Sequence, residues 1–147
     1  MGDIMENLFD RIIEMAAKSD KVILMGHHHP DMDAYGACLG LSSILDNENI
    51  ENYIFLDTSD DENIKSIKQA INMINNVNYV NKDNYKSIIT ENTLLIISDT
   101  HIPDRIEYPD ILNEIKKVIV LDHHIKMPNY IKDTDIFYID SDRKSVV

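Results

Sequence analysis

One cysteine in 147 residues rules out an internal disulfide. With Ala37 and Leu39 beside it, Cys38 reads as a buried thiol on a helix, which suits a reducing cytosol. Basic residues are scarce as well: 14 Lys and Arg stand against 26 Asp and Glu, for a formal charge of -12. Such a surface opposes duplex nucleic acid, whose binding depends on neutralising phosphates, so an anionic substrate needs bound metal or a basic patch. No apolar stretch approaches the roughly 20 residues that a membrane-crossing helix requires, and the N-terminus lacks the basic and apolar regions of a signal peptide. A cytoplasmic segment without membrane contact is the expectation. Glycine is sparse, with four residues, and no glycine-rich loop is present to cradle phosphates, which counts against a nucleotide-binding module of that kind.

What is abundant is punctuated by short apolar runs. Val22-Ile23-Leu24-Met25, Leu94-Leu95-Ile96-Ile97 and Val118-Ile119-Val120-Leu121 are rich in β-branched residues and read as strands buried on both faces of a parallel sheet. Leu8, Ile12, Ile13 and Ala16 mark an amphipathic opening helix over about residues 3–18. Further helices are expected over 34–45, 62–74 and 109–116, with a short one over 85–89. Strands are expected over 21–25, 52–56, 77–80, 93–98, 117–121 and 136–139. This alternation predicts βαβ units and an α/β fold, a doubly wound parallel sheet flanked by helices. Gly36 and Gly40, four apart on one helix, are expected to admit a neighbouring backbone closely.

Each central run is followed at once by acidic and histidine residues. Gly26-His27-His28-His29-Pro30-Asp31-Met32-Asp33-Ala34 follows the first, Ser98-Asp99-Thr100-His101 the second and Asp122-His123-His124 the third. Ligands of open α/β sheets bind at the carboxyl ends of the strands, so the three clusters should converge on one rim. Imidazole nitrogens and carboxylate oxygens gathered there suit a pair of divalent transition ions. Pro30 breaks helical geometry between His27 and Asp31, so both can face one ion, while Asp33 is placed to reach a second. Asp99 is the candidate for a carboxylate shared by both ions, and His123 would complete the second set.

These motifs, in this order, resemble the DHH phosphoesterases, named for the triplet seen here as Asp122-His123-His124. Gly26-His27-x-x-Pro30-Asp31-x-Asp33-Ala34 looks like the family's first motif, and Asp99-Thr100-His101, followed by Pro103 and Glu107, like its second. The wording is most similar to the cyclic-di-AMP phosphodiesterase branch, with the oligoribonuclease and pAp-phosphatase branch as the alternative. The resemblance implies two Mn²⁺ ions, one held by His27, Asp31 and Asp99, the other by Asp33, Asp99 and His123. It also implies that Asp122 and His124 serve catalysis, Asp122 by orienting an imidazole and His124 beside the substrate phosphate. His101 would approach the substrate without binding metal, and His28 and His29 would be exposed loop histidines.

The implied substrate is a cyclic or short linear dinucleotide, cut at a P–O bond with a 3′-hydroxyl leaving. The family's later aspartate and its glycine-rich nucleotide-gripping domain are not in this sequence. Residues 1–141 are therefore expected to be an incomplete DHH domain, and 142–147 a non-native tail resembling a translated sequencing adapter. The chain alone is expected to be nearly inactive, a metal-binding fragment being the alternative, and a homodimer of an intact parent stays open.

Overall fold

The computed structural model describes residues 2–28, 32–56, 69 and 77–140. In chain order these form α1 (Gly2–Ala17), β1 (Lys21–Met25), α2 (Met32–Asn47), β2 (Asn52–Phe55), β3 (Tyr79–Val80), β4 (Thr93–Ser98), β5 (Lys117–Asp122) and β6 (Ile136–Ile139). Short 3₁₀ turns occupy Tyr85–Ser87, Pro103–Arg105 and Pro109–Asn113. The six strands make one sheet in the order β3-β2-β1-β4-β5-β6, and every pairing is parallel. The chain winds outward from β1 through β2 and β3, then crosses back to the other side of β1 with β4 and winds outward again. The order therefore reverses between β1 and β4, which are the best buried strands.

The period of two along each strand sends alternate side chains to opposite faces. Val22, Leu24, Leu94, Ile96 and Ile119 meet Leu8, Ile12 and Ala16 of α1 and Cys38 and Leu45 of α2. Ile23, Met25, Leu95, Ile97, Val118 and Val120 face the other way, against Tyr85, Ile106, Ile111, Ile115 and Ile131 from the 3₁₀ turns and loops. Each such side chain contributes about 1.5–3 kcal/mol by leaving water. This two-sided burial explains why the central runs are continuously apolar.

The observed elements follow the sequence reading closely, with three differences. The helices expected over 85–89 and 109–116 are 3₁₀ segments, confined to Tyr85–Ser87 and Pro109–Asn113. Glu114 N–H donates to Ile111 O at 3.0 Å, an i to i−3 bond. A segment this short does not repay the cost of nucleating an α-helix. The strand expected over 77–80 is confined to Tyr79–Val80. Gly36 and Gly40 lie on an exposed side of α2, where an added Cβ would meet nothing within 4 Å among the described residues, so no described backbone approaches them closely. The buried stripe of α2 runs instead through Tyr35, Cys38, Ser42 and Leu45. The helix expected over 62–74 lies outside the described residues apart from Gln69, which is helical.

The open surroundings of Gly40 give a direct stability prediction. Gly40→Ala should raise stability by about 0.5–1 kcal/mol, because alanine removes backbone freedom from the unfolded chain without a clash in the helix. Urea denaturation of the two proteins measures it. A lower midpoint for Gly40→Ala would mean that this helix face is covered.

Cys38 is buried as expected, 3.7 Å from Ser98 Oγ. Burial pushes its thiol up to about 11, against a smaller lowering by the Ser98 hydroxyl. It is a packing group of the core, with no thiolate character.

Candidate metal centre

The three histidine and acidic clusters meet where the strand order reverses. Parallel register sets Met25 beside Ile97 and Ser98 beside Leu121, so β1, β4 and β5 end at nearly the same level. His27, Asp99 and His123 leave those ends as neighbours, across strands about 4.8 Å apart. A crevice at such a reversal is the usual ligand site of open parallel sheets.

Asp99 sits at the centre. Its backbone is left-handed, with φ 69°, a conformation that aspartate tolerates better than most residues. Its N–H still donates to Leu121 O at 3.0 Å, so the turn is anchored to β5. One carboxylate oxygen, Oδ1, lies 2.7 Å from His123 Nε2, and the other, Oδ2, lies 3.3 Å from His27 Nε2. His27 Nδ1 is 2.9 Å from His28 O, and a carbonyl can only accept, so Nδ1 carries the hydrogen. A neutral His27 therefore turns its Nε2 lone pair toward a carboxylate oxygen. Two acceptors at this distance repel unless a proton or another cation lies between them. His27 is held in place by an antiparallel bridge to Ile106, with Glu107 N–H donating to Gly26 O at 2.9 Å.

Behind this pair lies the buried carboxylate of Asp122. Its Oδ2 accepts from His101 Nδ1 at 2.6 Å, and its Oδ1 meets the His123 N–H at 2.8 Å and His124 Nδ1 at 2.7 Å. Burial pushes its pKa up, but the hydrogen bonds from His101, His124 and the His123 amide outweigh that and hold it below the usual carboxylate value. The His123 and His124 rings stack with centroids 4.4 Å apart. Asp99, Asp122, His123 and His124 each offer a ligand atom, all within 4.8 Å of one another.

The structure thus brings together His27, Asp99, His101, Asp122, His123 and His124. Asp31, His29 and the side chain of Asp33 lie outside the described residues, and His28 is exposed, as expected. His101 is in the cleft wall, 1% exposed, with Met127 N–H donating to its Nε2 at 2.9 Å. A cleft of about 590 Å³ opens over the site, and its wall adds Arg105, Ile125 and Met127, none of which the sequence reading picked out. Arg105 is the only Lys or Arg among those lining residues. Its one sequence signal was its place two residues after Pro103, in the second motif.

A sheet reversal crowned by carboxylates and imidazoles defines an α/β protein with a candidate metal site at its strand ends. Residues 21–147 match the DHH family, N-terminal domain, and the chain belongs to that family. It is 29% identical over 132 residues to the cyclic-di-AMP phosphodiesterase GdpP of Bacillus subtilis, covering 86% of this chain and 20% of GdpP. It is 30% identical over 132 residues to the cyclic-di-AMP phosphodiesterase PdeA of Listeria monocytogenes, with the same 86% and 20% coverage. The bifunctional oligoribonuclease and PAP phosphatase NrnA of Bacillus subtilis is 28% identical over 138 residues, covering 92% of this chain and 38% of NrnA. The chain thus spans about a fifth of the length of the two cyclic-di-AMP phosphodiesterases. Among solved structures, an exopolyphosphatase-related protein from Bacteroides fragilis shares the fold, with a TM-score of 0.65 at 20% identity, covering 90% of this chain and 38% of that one. No described helix is long and apolar enough to cross a membrane.

Proposed function

We propose that this chain carries the metal centre of a phosphodiesterase acting on a cyclic or short linear dinucleotide, with cyclic-di-AMP converted to pApA as the reaction. The observation that carries this reading is Asp99 standing between His27 Nε2 and His123 Nε2 at the strand reversal. His27 turns a lone pair toward one of the Asp99 oxygens, and that pair of acceptors calls for positive charge between them. Carboxylate oxygens mixed with imidazole nitrogens, without thiolate, suit Mn²⁺. His27 and Asp99 would hold one ion and Asp99 and His123 the other, with Asp31 and Asp33 completing the two sets. When bound, the ions would acidify water and offset charge on the phosphoryl oxygens.

The chain's own residues supply the rest. Asp99 fixes the spacing of the two sides from one left-handed residue at the end of β4. Asp122 accepts the Nδ1 hydrogen of His124, which leaves Nε2 of that half-exposed ring as a lone pair facing the cleft, able to accept from a water or a substrate hydroxyl. Arg105 places a guanidinium on the wall, matched to a phosphate in a molecule whose net charge of -12 otherwise repels one. The exposed side chains of Ile125 and Met127 give the cleft an apolar edge. The acidic surface disfavours extended duplex contacts.

Products decide the substrate. Incubating the protein with Mn²⁺ and, separately, cyclic-di-AMP, pApA or pAp, then resolving the products by chromatography, should give pApA from the cyclic dinucleotide, at the low rate expected of a chain that spans a fifth of the cyclic-di-AMP phosphodiesterases. Turnover of pAp alone would place the chain with oligoribonucleases and pAp phosphatases instead.

A further inference from the structure

We infer that His101 is a positioning residue of this centre: held as the Nδ1–H tautomer between Met127 and Asp122, it aligns Asp122, and through Asp122 the ring of His124, without meeting metal or substrate. The tautomer follows from donors and acceptors. A backbone N–H can only donate, and that of Met127 lies 2.9 Å from His101 Nε2, so Nε2 presents a lone pair. The ring hydrogen is then on Nδ1, 2.6 Å from Asp122 Oδ2. Both nitrogens are spent within the protein. No lone pair is left for a metal, and no N–H is left for a phosphate.

The rest of His101 is fixed as firmly. Its carbonyl accepts the Ile131 N–H at 2.8 Å, so one residue ties down the loop after β5 at both Met127 and Ile131. Its ring stands edge-on to Phe137 of β6, with centroids 6.3 Å apart and planes at 85°. With Oδ2 of Asp122 engaged by His101, Oδ1 is left to the His123 N–H and to His124 Nδ1, which sets the rotation of the carboxylate. The direction in which His124 faces the cleft is thereby inherited from a ring buried in the cleft wall. Partners of this kind typically change activity by about 10–100-fold when removed. The consequence for turnover rests on the phosphodiesterase reading above, whereas the tautomer does not.

Two-bond ¹H–¹⁵N correlation spectra of the metal-free, ¹⁵N-histidine-labelled full chain test the tautomer in the wild type. A ring protonated at Nδ1 and unprotonated at Nε2 is the expected result, and one protonated at Nε2 overturns the inference. Two variants test the consequence. His101→Asn keeps an N–H donor close to the Nδ1 position, while His101→Leu fills the volume without one. His124 should keep a single Nδ1–H tautomer in His101→Asn and average between tautomers in His101→Leu. With Mn²⁺ and cyclic-di-AMP, kcat of His101→Leu should fall about 10–100-fold with KM nearly unchanged, and His101→Asn should recover most of it. An unchanged His124 tautomer and an unchanged kcat in His101→Leu would contradict the positioning role. If the wild type turned over no phosphodiester, the phosphodiesterase reading would fall, and the spectra alone would decide the part played by His101.

Discussion

Asp99→Ala should abolish paired metal binding and phosphodiester turnover together. Alanine removes the carboxylate that faces both His27 and His123, and it also places a Cβ residue without a polar side chain at φ 69°, at a cost of about 1–2 kcal/mol. Asp99→Asn separates these effects, since asparagine tolerates the left-handed backbone and lacks only the charge. Mn²⁺ affinity should fall by more than about 100-fold in both variants, beyond the loss typical of residues that only orient a ligand. Thermal stability of the metal-free protein should fall in Asp99→Ala and stay near wild type in Asp99→Asn. Calorimetric titration with Mn²⁺ measures the first quantity, and a thermal melt the second. Equal stoichiometry and affinity in wild type and Asp99→Asn would remove Asp99 from the bridging role.

Asp122→Ala should be the most destabilising single change at the site. It leaves the buried His101 Nδ1–H and the His123 amide without acceptors, and each unsatisfied donor costs about 1–3 kcal/mol, for a total of about 2–6 kcal/mol. The pH dependence has a definite sign. Because the folded-state pKa of Asp122 is lowered, its stabilisation is fully present above the unfolded carboxyl value of about 3.9 and is lost as pH falls through the lower folded value. Urea midpoints at neutral pH should therefore differ widely between wild type and Asp122→Ala, and the gap should narrow below about pH 4. A gap that is small at neutral pH would mean that water replaces the carboxylate at no cost.

Much of this site was legible because its residues are tied to strands. Continuous apolar runs alternating with helical segments suit strands buried on both faces of a parallel sheet, so the positions of His27, Asp99 and His123 just beyond β1, β4 and β5 already implied a common rim. The pairing of Asp99 with both imidazoles follows from that register. What the sequence could not carry depends on contacts between distant segments. The tautomer of His101 is set by the Met127 amide, in a loop whose path no local pattern encodes. Arg105 reaches the cleft because the Pro103–Arg105 turn and the His27 to Ile106 bridge bring it there. The spacing of Gly36 and Gly40 suggested a packed helix face, yet which face of α2 meets the sheet was decided by Tyr35, Cys38, Ser42 and Leu45. The expected helix over 109–116 is a 3₁₀ segment over Pro109–Asn113, because five apolar or helix-favouring positions do not make an α-helix where the chain turns back so soon into β5.

Crystals of the protein soaked in Mn²⁺, measured at the manganese absorption edge, test the central claim most directly. Two anomalous peaks about 3.5–4 Å apart, both in contact with Asp99 and one each beside His27 and His123, are the predicted result. Peaks remote from Asp99, or a single peak on one side of it with no second ion at saturating Mn²⁺, would contradict the shared-carboxylate centre.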